Sequence, residues 1–183
     1  MGTGTYLALS GLQTRIDQLD HLAADIANAG TAGYKGQSTT TYGDVRPTFD
    51  QTLQTAVDPT LGPVKIDFDS GTVSSTGRAL DFAINGQGFF VVDTPAGPRY
   101  TRNGGFERRA DGTLVSGPDQ SPVESTTGQP IVLPPTGALS LDQNGTLRVD
   151  GAAVGQMKIV DFADPTKLQR ESASRFEAVG EQP

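Results

Sequence analysis

Leucine and isoleucine recur every three or four residues at the start of the chain, and that rhythm gives way to alternation and short apolar runs after about residue 64. Apolar or small residues fall at Leu9, Leu12, Ile16, Leu19, Ala23 and Ile26, spaced 3, 4, 3, 4 and 3. This is the a/d rhythm of a coiled-coil seam, and it predicts a helix over 5–27. Leu22 widens the stripe, while Gln13, Arg15, Asp17, Gln18, Asp20 and Asp25 occupy the other faces. Asn28, Gly30 and Gly33 tolerate positive φ and supply the stop. Two readings of the stripe stay open. It packs on a globular core, as many amphipathic helices do, or it pairs with another chain or with a C-terminal helix.

Residues 36–69 form an extended connector with one short strand. Its first 28 residues, Gly36 to Pro63, are rich in Thr, Gln, Gly and Asp and have little periodicity. The polar run Ser38-Thr39-Thr40-Thr41 reads as a solvated loop. From there Leu80, Phe82 and Ile84 alternate with Asp81 and Ala83, the pattern of a half-buried strand. Phe89-Phe90-Val91-Val92 is a continuous run, expected in a strand buried on both faces. Further strands are expected at 99–102, 106–109, 113–115, 131–133, 139–141, 146–149 and 156–162. Asn85-Gly86, Asn103-Gly104, Asp111-Gly112, Asn144-Gly145 and Asp150-Gly151 separate them, and such pairs favour type I′ hairpin turns. Pro134-Pro135 marks a break. The expected fold is mainly β with an N-terminal α-helix: an antiparallel, short-strand β domain plus a coiled-coil-forming terminal helix. The expected organisation is a helical segment at 1–35, the connector at 36–69 and the β domain at 70–183.

Composition narrows the function. The 183 residues suit one domain with an extension, and Gly (23) and Pro (12) imply many turns. With a formal net charge of −7 and no Lys/Arg cluster, the chain repels phosphate backbones, which argues against a nucleic-acid partner. Cys is absent, which removes disulfide frameworks, thiolate catalysis and Cys-rich metal sites. No apolar run reaches the ~18–20 residues that span a bilayer, so direct membrane insertion is not expected. The N-terminus lacks the basic and apolar regions of a cleaved secretory signal.

A search for chemistry returns little. His21 is the only histidine, it lies within the helical segment, and no G-x-S-x-G nucleophile elbow accompanies it. One His without Cys makes a poor metal site. Asp81, Asp111 and Asp142 could supply a carboxylate pair for glycoside hydrolysis, but all sit beside turns or on the polar side of strands. Asn85-Gly86-Gln87-Gly88 lacks the Lys and the strand–loop–helix setting of a phosphate loop. Asp142-Gln143-Asn144-Gly145 is not followed by the acidic spacing of a calcium loop. No catalytic residue, cofactor or metal is expected.

Two ordered motifs carry more weight. The first is Tyr6-x-Ala8-x-Ser10-Gly11 followed by Ile26-Ala27-Asn28-Ala29-Gly30-Thr31-Ala32-Gly33-Tyr34-Lys35. The second runs from Ser70-Gly71 through Thr76-Gly77-Arg78-Ala79-Leu80-Asp81-Phe82 to Asn85-Gly86-Gln87-Gly88-Phe89-Phe90-Val91-Val92. It continues as Tyr100-Thr101-Arg102-Asn103-Gly104-Gly105-Phe106 and Asp111-Gly112-Thr113-Leu114-Val115. In this order they resemble the flagellar rod and hook axial proteins. Asp25 stands where that family usually has Asn. The chain is too short for the outer domains of hook members, and Thr76-Gly77-Arg78 resembles the proximal rod type more than the distal, which more often has Asn in third place.

The resemblance implies a structural subunit of the basal-body rod, the axial drive shaft that is also an export channel. It implies polymerisation through terminal helices forming an inner, channel-lining layer. Leu9, Leu12, Ile16, Leu19, Ala23 and Ile26 are then the assembly contacts, and Ala27, Asn28, Thr31, Gly33 and Tyr34 form the helix-exit motif. Implied partners are other rod and hook–basal-body subunits, further copies of the chain and the flagellar type III export apparatus. The implied location is the periplasmic rod of the basal body, reached without a cleaved signal. The resemblance also implies a C-terminal helix with its own seam, and no such helix is expected within these 183 residues. The rival classes are a secreted β-rich binding module and a glycan-cleaving enzyme.

Overall fold

The computed structural model describes residues 3–41, 61–117 and 119–180, with the side chains at 3–8, 10, 11, 14, 39–41 and 61–64 outside the description. The chain divides into two compact units, Met1–Gly30 with Lys35–Phe68, and Thr31–Tyr34 with Asp69–Pro183.

In the first unit, helix α1 spans Thr3–Ala27, two residues longer at its start than its periodicity predicts. At about 1.5 Å per residue its 25 residues extend about 37 Å. Asn28 closes it: its backbone N–H (3.0 Å) and its side-chain Nδ2 (2.8 Å) both donate to the Ala24 carbonyl, one of the orphan acceptors of the last turn. Strands β1 (Gln37–Thr41) and β2 (Leu61–Ile66) pair antiparallel, with Gln37 opposite Ile66. The run expected as a solvated loop is therefore strand, and the described part of the connector carries two strands where one is expected. Thr is β-branched and suits a ladder, and it gains a partner from a segment too far along the chain for local periodicity to reveal. Connector residues 42–60 lie outside the described residues.

The second unit is built of short antiparallel strands. They are β3 (Phe89–Thr94), β4 (Gly97–Thr101), β5 (Phe106–Arg108), β6 (Leu114–Ser116), β7 (Ser121–Pro122), β8 (Leu139–Leu141), β9 (Thr146–Val149), β10 (Ala152–Gln156), β11 (Ile159–Val160), β12 (Leu168–Arg170) and β13 (Arg175–Ala178). A five-stranded sheet has the order β11-β3-β4-β13-β12, and two three-stranded sheets have the orders β10-β9-β8 and β5-β6-β7. Every pairing is antiparallel. The chain is thus mainly β with one N-terminal helix, as its patterning predicts.

The run Phe89–Val92 organises this unit because both its faces are buried. Phe90 and Val92 join Phe106, Leu114, Val123, Ile131, Leu133, Leu147 and Met157 in the main core. Phe89 instead meets Phe162 and Phe176 edge-on at 5.8 and 5.9 Å, and Tyr100 closes on Phe162 at 4.7 Å. Edge-to-face packing aligns ring quadrupoles and adds to burial.

Three sequence expectations change. Leu80, Phe82 and Ile84 pack half-buried on the core, but their only ladder contact is a single bridge from Asp81 to Gly105. Residues 131–133 likewise contribute isolated bridging through Val132 rather than a strand. Among the five turn pairs, only Asp150-Gly151 has positive φ at both positions (49° and 84°), the requirement of type I′. Asp111-Gly112 and Asn144-Gly145 have it at glycine alone. Their loops close through Arg109 N–H to Thr113 O and Asp142 N–H to Thr146 O. A longer loop absorbs the strand twist with one left-handed residue instead of two.

Ion pairs tie the turns down. Asp119 receives both Arg175 guanidinium nitrogens at 2.6 and 2.8 Å and the Ser121 hydroxyl. Arg175 beside it, opposed in part by burial, holds the Asp119 carboxyl down at about 2. A carboxylate depressed on folding stabilises above its unfolded pKa of about 3.9 and loses that stabilisation as pH falls toward its folded value. With the Asp119 side chain 44% exposed, solvent screening leaves this on the order of 1 kcal/mol.

Two outcomes are expected. Urea titrations should show this stability present at pH 5 and lost between about pH 4 and pH 2, with the loss much reduced in Asp119→Asn. Phe90→Ala should cost about 3–5 kcal/mol in the same assay, because it leaves a cavity where both the sheet and Phe106 have packed.

Candidate assembly interface

The stripe of α1 faces water. Leu9, Leu12, Ile16, Leu19, Leu22 and Ile26 are all exposed, with Leu9 at 59%, Leu19 at 64% and Ile26 at 73% of full accessibility. Ala23 is exposed with them. Scattered exposed leucines are ordinary, but a contiguous row along one helix face is a feature of surfaces that bind. The polar flank carries a local bond from Arg15 Nη1 to Gln18 Oε1 at 2.9 Å. His21 sits half-buried within the same helix.

The helix-exit residues divide between the two units. Ala27 ends α1 and Asn28 closes it. Thr31, Gly33 and Tyr34 belong to the β unit. There the Tyr34 N–H donates to the Thr31 carbonyl at 3.1 Å, forming a tight turn. Gly33 has φ +71° and lies against the backbone of Arg102 and Asn103: a Cβ at this position would come within 2.3 Å of the Asn103 nitrogen. Only glycine meets both demands. Arg170 places its guanidinium 4.8 Å from the Tyr34 ring centroid and 5.6 Å from that of Phe176. Back in the first unit, Lys35 is buried and its Nζ donates to the Phe68 carbonyl at 3.5 Å. The Asp67 N–H donates to the Gly36 carbonyl at 2.9 Å, extending the β1–β2 ladder by one bond.

Sequence reasoning missed the partners of these residues. Asn103 and Arg170 lie about 70 and 136 positions beyond Gly33 and Tyr34, and no local spacing reports such distances. A nearer signal existed for Thr76-Gly77-Arg78-x-x-Asp81. Asp81 accepts from Thr76 Oγ1 at 2.6 Å, from Arg78 Nη2 at 2.6 Å and from Arg78 Nε at 2.9 Å. The Arg78 bond, then Thr76, pulls the Asp81 carboxyl below its usual range. Phe82 N–H to Gly104 O (2.9 Å) and Phe106 N–H to Leu80 O (3.2 Å) then fix this clasp to the Asn103–Phe106 segment.

The three aspartates weighed for hydrolysis do separate work. Asp81 holds the clasp. Asp111 accepts the Thr113 N–H at 2.9 Å, which with the Thr113 hydroxyl lowers its pKa. Asp142 pairs with Arg148 at 2.7 Å. Among the described residues no group of three or more His, Asp or Glu side chains gathers to hold a metal. A groove of about 250 Å³ beside β3 and β4 is lined by Val91, Pro98, Tyr100, Pro122 and the paired Lys158 and Glu124. None of the described helices is long and apolar enough to cross a membrane.

A family model described as the flagellar hook protein FlgE/F/G D1 domain matches residues 83–149. The chain is similar to the flagellar basal-body rod protein FlgF of Mesorhizobium japonicum, 33% identical over 166 residues, covering 90% of this chain and 67% of that protein. It is similar to the FlgF protein of Caulobacter vibrioides, 31% identical over 184 residues with 96% and 73% covered. It is similar also to the flagellar basal-body rod protein FlgG of Bacillus subtilis, 33% identical over 193 residues with 93% and 71% covered. The chain thus spans about two thirds to three quarters of the length of these relatives.

Gly33→Ala should destabilise the β unit by about 1–3 kcal/mol, because it adds both a clash and a strained φ. Gly30→Ala, where nothing lies within 4 Å, should stay within about 0.5 kcal/mol of the parent in the same urea titration.

Proposed function

The chain belongs to the family of flagellar hook and basal-body rod proteins, and from that membership we propose that it is a structural subunit of the basal-body rod that polymerises through the apolar face of α1. The single observation that carries this reading is the exposed row Leu9, Leu12, Ile16, Leu19, Ala23, Ile26. A large aliphatic side chain gains about 1.5–3 kcal/mol when fully removed from water. Five such residues at a/d spacing supply enough to offset the ordering of a helix that is marginal alone. The partner surface is a helix with its own apolar seam, from a neighbouring axial subunit or from the longer chain typical of the relatives. Contacts of this head-to-tail kind generate open helical assemblies when the rotation does not close.

The β unit serves as the rigid body of the subunit, and Thr31, Gly33 and Tyr34 anchor the chain to it as it leaves the helix. The partners are other rod and hook subunits and further copies of the chain. Delivery to the periplasmic rod runs through the flagellar export apparatus without signal cleavage. The proximal rod type is favoured by Arg78, which grips Asp81 through two nitrogens. The asparagine more common in the distal type is too short and carries no charge for that bond. The subunit's role is mechanical, with no catalytic step assigned.

Leu19→Asp should abolish rod assembly and motility while the purified chain keeps the urea midpoint of its β unit. Normal basal bodies from that variant, seen by electron microscopy of a strain carrying it as sole copy, would remove the seam from the mechanism.

A further inference from the structure

The sequence holds three Asn-Gly pairs, at 85–86, 103–104 and 144–145, and the structure treats them differently. At the second, Asn103 Oδ1 accepts the Gly105 N–H at 2.9 Å. Gly104 there is buried hard against the Phe82 carbonyl, so that even a Cβ would come within 1.8 Å of it. At the third, Asn144 Oδ1 accepts the Thr146 N–H at 3.2 Å, and the Gly145 N–H is already spent on the Asp142 carbonyl at 2.9 Å. The first pair is open. Asn85 and Gly86 are both exposed. Gly86, at φ +115°, has nothing within 4 Å of its Cβ position. Its carbonyl is held by Arg102 Nη1 at 2.7 Å. Its N–H and the Asn85 amide make no protein hydrogen bond among the described residues.

We infer that Asn85 is the site at which the folded chain deamidates spontaneously, through a succinimide closed by the Gly86 nitrogen. The chemistry needs a backbone nitrogen free to attack, an amide free to rotate and a following residue without a side chain in the way. Gly86 N bonds to Asn85 Cγ and the Cγ–Nδ2 bond breaks. The proton from Gly86 N departs with the amide nitrogen as ammonia. Water then opens the ring. Attack at the side-chain carbonyl leaves an aspartate, and attack at the main-chain carbonyl leaves an isoaspartate, with the backbone rerouted through the former side chain. Water is the only co-reactant and no electrons change hands. Either product adds a negative charge next to the peptide whose carbonyl Arg102 grips. Arg102 is well placed to tolerate it: its guanidinium lies 5.0 Å from the Phe89 ring centroid, and its buried Nε has no hydrogen-bond partner among the described residues.

The test is peptide mapping by mass spectrometry, with isoaspartate resolved from aspartate, on the full chain held folded at mildly alkaline pH. Asn85 should convert at least about ten-fold faster than Asn103 or Asn144, because each of those must first lose hydrogen bonds in a local opening. Its product should contain both isomers. In strong urea the three sites should converge to within a few-fold. Asn85→Gln, an exposed change that preserves the fold, should remove most isoaspartate from the intact folded chain. Equal rates at the three sites in the folded chain would overturn the inference. So would aspartate alone at position 85, or an isoaspartate yield unaltered in Asn85→Gln.

Discussion

Water against the apolar row of α1 is the constraint on which the rest of the structure turns. Leu9, Leu12, Ile16, Leu19 and Ile26 recur at the period of a helix seam, yet each keeps about half or more of its surface exposed. A helix of this kind gains little stability from its own residues, because helix formation is only marginally favourable without an apolar face to bury. In the proposed assembly, a partner surface supplies the burial this face lacks. On the proposed reading, that deficit is what turns the sequence pattern into a polymerisation surface.

The β unit has the opposite character. Phe89–Val92 buries both faces, one among the phenylalanines and Tyr100 and the other in the main core. Side-chain bonds close its loops: Asp81 with Thr76 and Arg78, Asp119 with Arg175, Asp111 with the Thr113 amide. Packing and loop closures of this kind stabilise the unit internally. The residues after the helix exploit this stability. Gly33 lies on the backbone at Asn103 and Tyr34 stacks with Arg170, so residues 31–34 are packed into the β unit. The aspartates that could have been read as catalytic are consumed in the same task of holding turns.

Local periodicity made the helix, most strands and the antiparallel character legible in the sequence, because those depend on residues a few positions apart. The apolar row of α1 was legible for the same reason, and the structure leaves it exposed. Pairings across long separations were not. The β1–β2 ladder joins segments about 25 residues apart, and the polar run Ser38-Thr39-Thr40-Thr41 alone could not announce it. Strands β12 and β13 are short, with Leu168 and Phe176 as their only fully buried residues, too few to show alternation. Leu80, Phe82 and Ile84 alternate like a strand but receive their place from the Asp81 clasp and the Gly104 carbonyl. The turn pairs were visible as turns, whereas their type depended on how many residues each loop spends on the strand twist.

The chain lacks cysteine, so a single introduced thiol reports its own surroundings without interference. The most direct test of the assembly account is the maleimide reactivity of Leu19→Cys, measured in the free chain and in isolated basal bodies. The account predicts rapid labelling in the free chain and strong protection once assembled. Equal labelling in both states would contradict it, because the helix face would then have remained in water.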